Sequence, residues 1–249
     1  MAQDGGIGSG KIRLFVDAGL APDAQVALNR DQAHYLFTVM RQAPGSAILL
    51  FNGRDGEWAA EVAEAGKKSG VLICRRQTRV QEFGPDLWLI FAPLKKARTD
   101  FIAEKACEMG CRRLLPVFTG HTNTARVNVD RLRAHAAEAA EQCGLLAVPE
   151  VTAPQQLGAL LDNWSPERRL LFCDEGGAGA PAARVLAEIG GGPWAVLIGP
   201  EGGFSDEERG RLATLPWAHV ASLGPRILRA DTAAVAALTI WQSVLGDWK

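Results

Sequence analysis

Two kinds of hydrophobic pattern divide the chain. From Arg13 to about Arg79 the apolar runs are short and β-rich, as in "IRLFV", "AILLF" and "VLICR". They are broken by "APGS" and by "NGRDGEW", which carries the Asn-Gly and Asp-Gly dipeptides of tight hairpin turns. One helical stretch, "RDQAHYLFTVMRQA", interrupts them. The pattern predicts a small β-barrel-like domain over residues 11–82. After a linker with Gly84 and Pro85, apolar strands alternate with polar helices: "LWLIFAPL", "TDFIAEKACEMG", "RRLLPVF", "DRLRAHAAEAAEQCG", and so on to "DTAAVAALTIWQSVLG". Repeated βα units of this kind predict an α/β domain over 86–249, a parallel sheet covered by helices on both faces.

In such sheets ligands sit at the carboxyl ends of the strands. The strand "WAVLI" runs into Gly199, Pro200, Glu201, Gly202 and Gly203, and Ser205 with Glu208 three residues on forms a capping box for the next helix. One strand later "SLGPRILRADTAA" again places Gly-Pro between an apolar strand and a helix. Bare backbone at two such strand ends predicts one shared pocket built largely from main-chain N–H and C=O groups. Neither loop has the GxGxxG spacing of a dinucleotide site or the Lys-Ser/Thr of a triphosphate site. A nucleoside cofactor without phosphates fits better, with apolar contacts from Ile198, Leu223, Ile227 and Leu228, and S-adenosylmethionine leads. "GGIGSGKI", residues 5–12, matches GxxxxGK but has Ile12 where a magnesium-binding hydroxyl is required, so it reads as a flexible leader.

Composition narrows the partners. Of 249 residues 47% are apolar, and 27 basic side chains against 28 acidic ones leave a net charge of −1, so nucleic acid must be met by a local patch. Between Lys95 and Arg133 nine basic residues face four acidic ones. Lys95, Lys96, Arg98 and Arg126 in the loops of that segment are the expected phosphate contacts. Five cysteines without a CxxC pair, and four scattered histidines, predict reduced thiols in a cytoplasmic protein and no metal site. The start lacks signal-peptide order and no apolar run approaches the ~20 residues of a membrane span, so no membrane is expected. The last helix carries Val235, Leu238, Trp241, Val244 and Leu245, more than one core-facing stripe requires, which predicts a partner interface.

"LIGPEGGFSDEE", "SLGPRILRADTA", "KKARTDFIAEKACEMGCRRLLPVFT" and "EAAEQCG" together resemble the RsmE family over nearly the whole chain. That family uses S-adenosylmethionine to methylate N3 of a specific uridine in 16S ribosomal RNA of the small subunit. The resemblance implies a SPOUT-type methyltransferase domain with a trefoil knot, a preceding PUA-like β-barrel, and a homodimer with cofactor pockets near the knot. It places cofactor binding at Leu197, Ile198, Gly199, Pro200, Glu201, Gly202 and Gly203, and at Leu223, Gly224, Ile227, Leu228 and Arg229. Arg41 and Arg54 fall on positions similar to the family's RNA-facing surface. Two departures stand out: Asp231 occupies a position where the family commonly has Glu, and Gly144 and Leu145 follow the "AEQ" block where it commonly has Arg.

Methyl transfer to uracil N3 requires the imide proton to leave, which asks for a base or for a cation to stabilise charge on the uracil oxygens. Arg229 is the candidate for the second role and Asp231 for the first, with helix capping as the alternative for Asp231. The alternative function is an RNA- or ribosome-binding protein of the same fold with impaired catalysis. A dehydrogenase or kinase with an unusual nucleotide loop is a third reading.

Overall fold

The computed structural model describes residues 12–176 and 179–248. Apart from Ile12, the GxxxxGK stretch lies outside the described residues. Contacts divide the chain into two units, the residues up to Phe83 with Ala140–Val148, and Gly84–Ala139 with the residues from Pro149 onward. Residues 140–148 thus group with the first unit, although they lie inside the 86–249 span expected for the second domain.

The first unit is a five-stranded mixed sheet of β1 (Arg13–Phe15), β2 (Gln25–Leu28), β3 (Ala47–Phe51), β4 (Glu57–Ala65) and β5 (Gly70–Arg79). The pairing path is β1-β3-β4-β5-β2, parallel between β1 and β3 and antiparallel elsewhere. Strand alternation puts Val26, Leu28, Ile48, Leu50 and Leu72 into one core with Leu36. Leu36 comes from the helical stretch, which begins as α1 (Arg30–Ala33) under an Asn29/Gln32 capping box and continues as a π-helical turn, His34–Val39.

Arg13 explains why residues 140–148 belong to this unit. Its guanidinium pairs with the buried Glu57 carboxylate at 2.8 Å, lies over the Phe51 ring, and donates to the carbonyls of Ala140 (2.6 Å), Glu141 (3.1 Å) and Leu145 (2.6 Å). The first two carbonyls are in the last turn of α3 (Val129–Cys143), where backbone acceptors lack intrahelical partners and a cation is favoured.

The second unit has a parallel sheet. Its strands are β6 (Leu87–Phe91), β7 (Arg113–Phe118), β8 (Glu150–Val151), β9 (Gln155–Gln156), β10 (Arg169–Cys173), β11 (Ala180–Pro181), β12 (Trp194–Ile198) and β13 (Ala218–Ser222). They run in the order β11-β13-β10-β12-β6-β7-β8, with β9 paired to β7. Its helices are α2 (Lys96–Glu108), most of α3, α4 (Leu157–Asp162), α5 (Ala182–Ile189), α6 (Asp206–Thr214) and α7 (Ala230–Val244). Every residue of β12 is buried, and two core clusters lie on opposite faces of the sheet, one holding Trp194, Val196 and Ile198 and the other Ala195 and Leu197. A strand covered on both faces reads as a continuous apolar run, as "WAVLI" does.

The apolar surplus of α7 is largely spent inside the unit. Leu238 and Trp241 are core residues, Val244 and Leu245 pack half-buried against that core, and the Gln242 amide donates to the Met109 carbonyl at 2.6 Å.

Truncating Arg13 tests the anchoring of 140–148. Arg13→Ala leaves the Glu57 carboxylate buried without its cation, so chemical denaturation should show a loss of about 3 kcal/mol or more. Adding Glu57→Gln should recover part of that loss, and an unchanged unfolding midpoint for Arg13→Ala would contradict the assignment.

Candidate active site

A cavity of ≈ 370 Å³ opens at the carboxyl edge of the second unit's sheet. Its walls are the ends of three neighbouring strands, in the order β13, β10, β12, together with the first turns of α2 and α7. From the β12 end come Ile198, Gly199, Pro200 and Glu201, and from the β13 end Ser222, Leu223, Gly224 and the run Arg226 to Ala230. The two glycine-bearing loops do meet in one pocket, but β10 lies between their strands, so Cys173, Asp174 and Glu175 line it as well. The consecutive strands β12 and β13 are thus not neighbours in this sheet.

Leu197, Gly202 and Gly203, expected to bind cofactor, do not line the cavity. The alternation of β12 turns Leu197 into the opposite core cluster. Gly202 and Gly203 lie farther along a turn closed by the Gly203 amide on the Pro200 carbonyl at 3.0 Å. The missing side chains of this loop leave room for the protein itself. A Cβ at Gly199 would come within 2.6 Å of the Phe204 ring, one at Gly202 within 3.2 Å of His121, and one at Gly203 would strike the Glu175 carboxylate. Gly224 differs: its φ is +117° and nothing lies within 4 Å of its missing Cβ.

The loop is latched by its neighbours. Glu175 accepts from the Phe204 amide at 3.2 Å and pairs with Arg209. The His121 ring donates from Nδ1 to the Gly202 carbonyl at 3.0 Å. Glu208 accepts the amides of Ser205 and Gly120, both at 2.9 Å, while Ser205 caps the Glu208 amide.

Charge in the cavity sorts into paired and unpaired groups. Arg98 reaches in from α2, pairing with Glu201 and lying 3.5 Å from Asp231. Arg226 and Arg229 are exposed on the cavity wall and form no ion pair among the described residues. The Asp174 carboxylate is buried, with Arg209 3.3 Å from Oδ1 but not aligned to donate to it, so Oδ1 has no hydrogen-bond partner among the described residues. Burial pushes the Cys173 thiol up to about 12, so it stays protonated at neutral pH and is no nucleophile.

The basic segment is mostly consumed internally. Lys105 pairs with Glu108, Arg113 with Glu150, Arg131 with Asp100 and Arg133 with Asp130, while Arg112 donates to the Gly84 carbonyl. The Arg131 guanidinium bonded to Asp100 holds that carboxyl below the usual carboxylate range. Lys95, Lys96 and Arg126 remain exposed and outside any ion pair among the described residues. Thr124 donates to the Leu94 carbonyl at 3.0 Å, which brings the strand-exit segment carrying Arg126 beside the start of α2. On the first unit Arg41 is exposed with φ +53°, and Arg54 is exposed and donates to the Asp17 carbonyl at 3.0 Å.

Residues 82–242 match a family model described as an RNA methyltransferase domain, and residues 28–73 match an RNA methyltransferase PUA domain. Ribosomal RNA small subunit methyltransferase E of Rickettsia conorii is 28% identical over 228 residues, covering 91% of this chain and 93% of the relative. The protein of that name from Synechocystis is 29% identical, covering 91% of this chain and 75% of the relative. A Legionella pneumophila methyltransferase solved with bound S-adenosylmethionine is 26% identical, with a TM-score of 0.86 and coverage of 95% and 98%.

The two kinds of glycine should respond differently to a methyl group. Gly224→Ala adds backbone strain alone and should cost about 1–2 kcal/mol. Gly203→Ala adds a collision with Glu175 to a left-handed φ of +70° and should cost about 3 kcal/mol or more in urea unfolding. Equal costs would show that the latch is not closed in solution.

Proposed function

The chain belongs to the RsmE family of RNA methyltransferases, and on that premise we propose that it transfers a methyl group from S-adenosylmethionine to N3 of a uridine in 16S ribosomal RNA of the small subunit. The observation that carries this reading is the cavity itself, into which two glycine-bearing strand ends bring both glycines and apolar side chains. Its size falls in the range of small-molecule sites. Ile198, Leu223, Leu228 and Ala233 offer apolar walls, and the buried Oδ1 of Asp174, which accepts no hydrogen bond among the described residues, marks a carboxylate suited to a donor on the cofactor. The cofactor supplies an activated methyl group, so the protein's task is to align the reacting atoms and keep water out.

Loss of the N3 proton places negative charge on the flanking uracil oxygens. Arg229, exposed at the N-cap of α7 and outside any ion pair among the described residues, is the group assigned to stabilise it. Asp231 is occupied otherwise, with Oδ1 accepting the Thr232 amide at 2.9 Å and Oδ2 facing Arg98, so its role is structural rather than that of a base. Lys95, Lys96 and Arg126, with Arg41 and Arg54 on the first unit, are assigned to phosphate contacts. The trefoil knot, the homodimer and a cytoplasmic location belong to the same proposal. The five cysteines form no CxxC pair, in keeping with a reducing compartment, and Ile227 is 84% exposed on the cavity wall, an apolar group placed for a partner or ligand to cover.

Incubation with labelled S-adenosylmethionine and small subunits lacking the modification should yield 3-methyluridine on nucleoside mass analysis. Cofactor binding without any methylated nucleoside would favour the RNA-binding alternative. Arg229→Ala should lower turnover by roughly a hundredfold with a much smaller change in cofactor affinity, since the interaction strengthens as charge develops. Equal losses in rate and affinity would reassign it to the loop. Sedimentation at micromolar concentration should give twice the 26.7 kDa of one chain, and a single-chain mass would remove the dimer.

A further inference from the structure

Arg98 sits in the first turn of α2, two residues beyond Lys96, yet it is placed unlike the lysines beside it. They are exposed and outside any ion pair among the described residues, whereas Arg98 is half-buried, lines the cavity and faces two carboxylates. Those carboxylates come from two different segments of the chain. Glu201 belongs to the loop after β12, and Asp231 is the second residue of α7, directly after the loop that follows β13.

We propose that Arg98 is a positioning residue, one guanidinium holding the two cofactor loops at a fixed separation, and not a contact for RNA phosphate. The inference rests on the reading of the cavity as the S-adenosylmethionine site. A guanidinium presents donors in a rigid planar fork and serves two carboxylates at once, which the point charge of a lysine does not reproduce. A phosphate approaching Arg98 would have to displace both partners, and it would meet a cluster of one cation and two anions whose net charge repels it. No such obstacle stands at Lys95, Lys96 or Arg126. The pairs are partly exposed, so they contribute little to global stability. Their effect falls on ligand affinity, because a loop already held in its bound arrangement has less ordering to lose on binding.

Calorimetry with S-adenosylhomocysteine, paired with salt-dependent binding of small ribosomal subunits, tests the assignment. In Arg98→Ala the dissociation constant for S-adenosylhomocysteine should rise about tenfold, on the scale of coupling between linked groups. Arg98→Lys should recover little of it, and thermal unfolding of both variants should stay close to the parent. The slope of log affinity for subunits against log salt should not change. Asp231→Asn should weaken S-adenosylhomocysteine binding in the parent and add little to Arg98→Ala. The proposal is overturned if Arg98→Ala binds S-adenosylhomocysteine like the parent while the salt slope falls by about one, the mark of a lost phosphate contact. Full rescue by Lys, or additive losses with Asp231→Asn, would also overturn it. A parent protein that fails to bind S-adenosylhomocysteine would refute the cofactor reading itself, a result distinct from all of these.

Discussion

The candidate site depends on one constraint, the clamping of backbone 199–204 by side chains that arrive from elsewhere in the second unit. The Phe204 ring fills the space left by Gly199 and packs edge-on against Phe172 at 5.0 Å. Glu175, anchored by Arg209, takes the place of a side chain at Gly203 and accepts the Phe204 amide. His121 holds the Gly202 carbonyl, and Glu208 ties the start of α6 to Gly120. A loop held in this way presents its main-chain donors and acceptors without paying for their ordering when a ligand arrives. Without the clamp, three glycines within five residues would be a floppy connection.

Charge is arranged by the same economy. Of the basic residues between Lys95 and Arg133, most are committed to carboxylates or carbonyls of their own unit. A count of charges therefore overstates the attraction for a polyanion, and what is left is a short set of exposed cations whose positions matter more than their number. Within the cavity the division is similar. Arg98 is satisfied by two acids and Arg209 by Glu175, while Arg226 and Arg229 remain available to a substrate.

Much of this was legible along the chain. Local signals carry local structure: the buried run "WAVLI" and the Ser205/Glu208 box appear where pattern and capping chemistry put them. The family blocks located the two loops that form the cavity. What pattern did not convey are consequences of strand order and of long sequence separation. The placement of β10 between β12 and β13 brought Asp174 and Glu175 into the site, and no feature of "RRLLFCDE" signals that. Arg98 looked like one more basic residue of its segment because its partners lie more than a hundred residues away. Arg13 is similar, for a lone arginine on a short strand does not announce three carbonyl partners beyond residue 139. The chain does not show a second need for the loop glycines: at Gly199, Gly202 and Gly203 an added side chain would meet Phe204, His121 and Glu175 of the protein itself.

The central claim is that main chain from two strand ends takes the cofactor, and amide chemical shifts report on that directly. Titrating S-adenosylhomocysteine into the isotope-labelled protein should move the amide resonances of Ile198 to Glu201, apart from the amide-less Pro200, and of Leu223 to Ala230, apart from Pro225. Gly202 should move less, because it lies outside the cavity wall. Shifts concentrated elsewhere in the chain, or no saturable shift at all, would contradict the account.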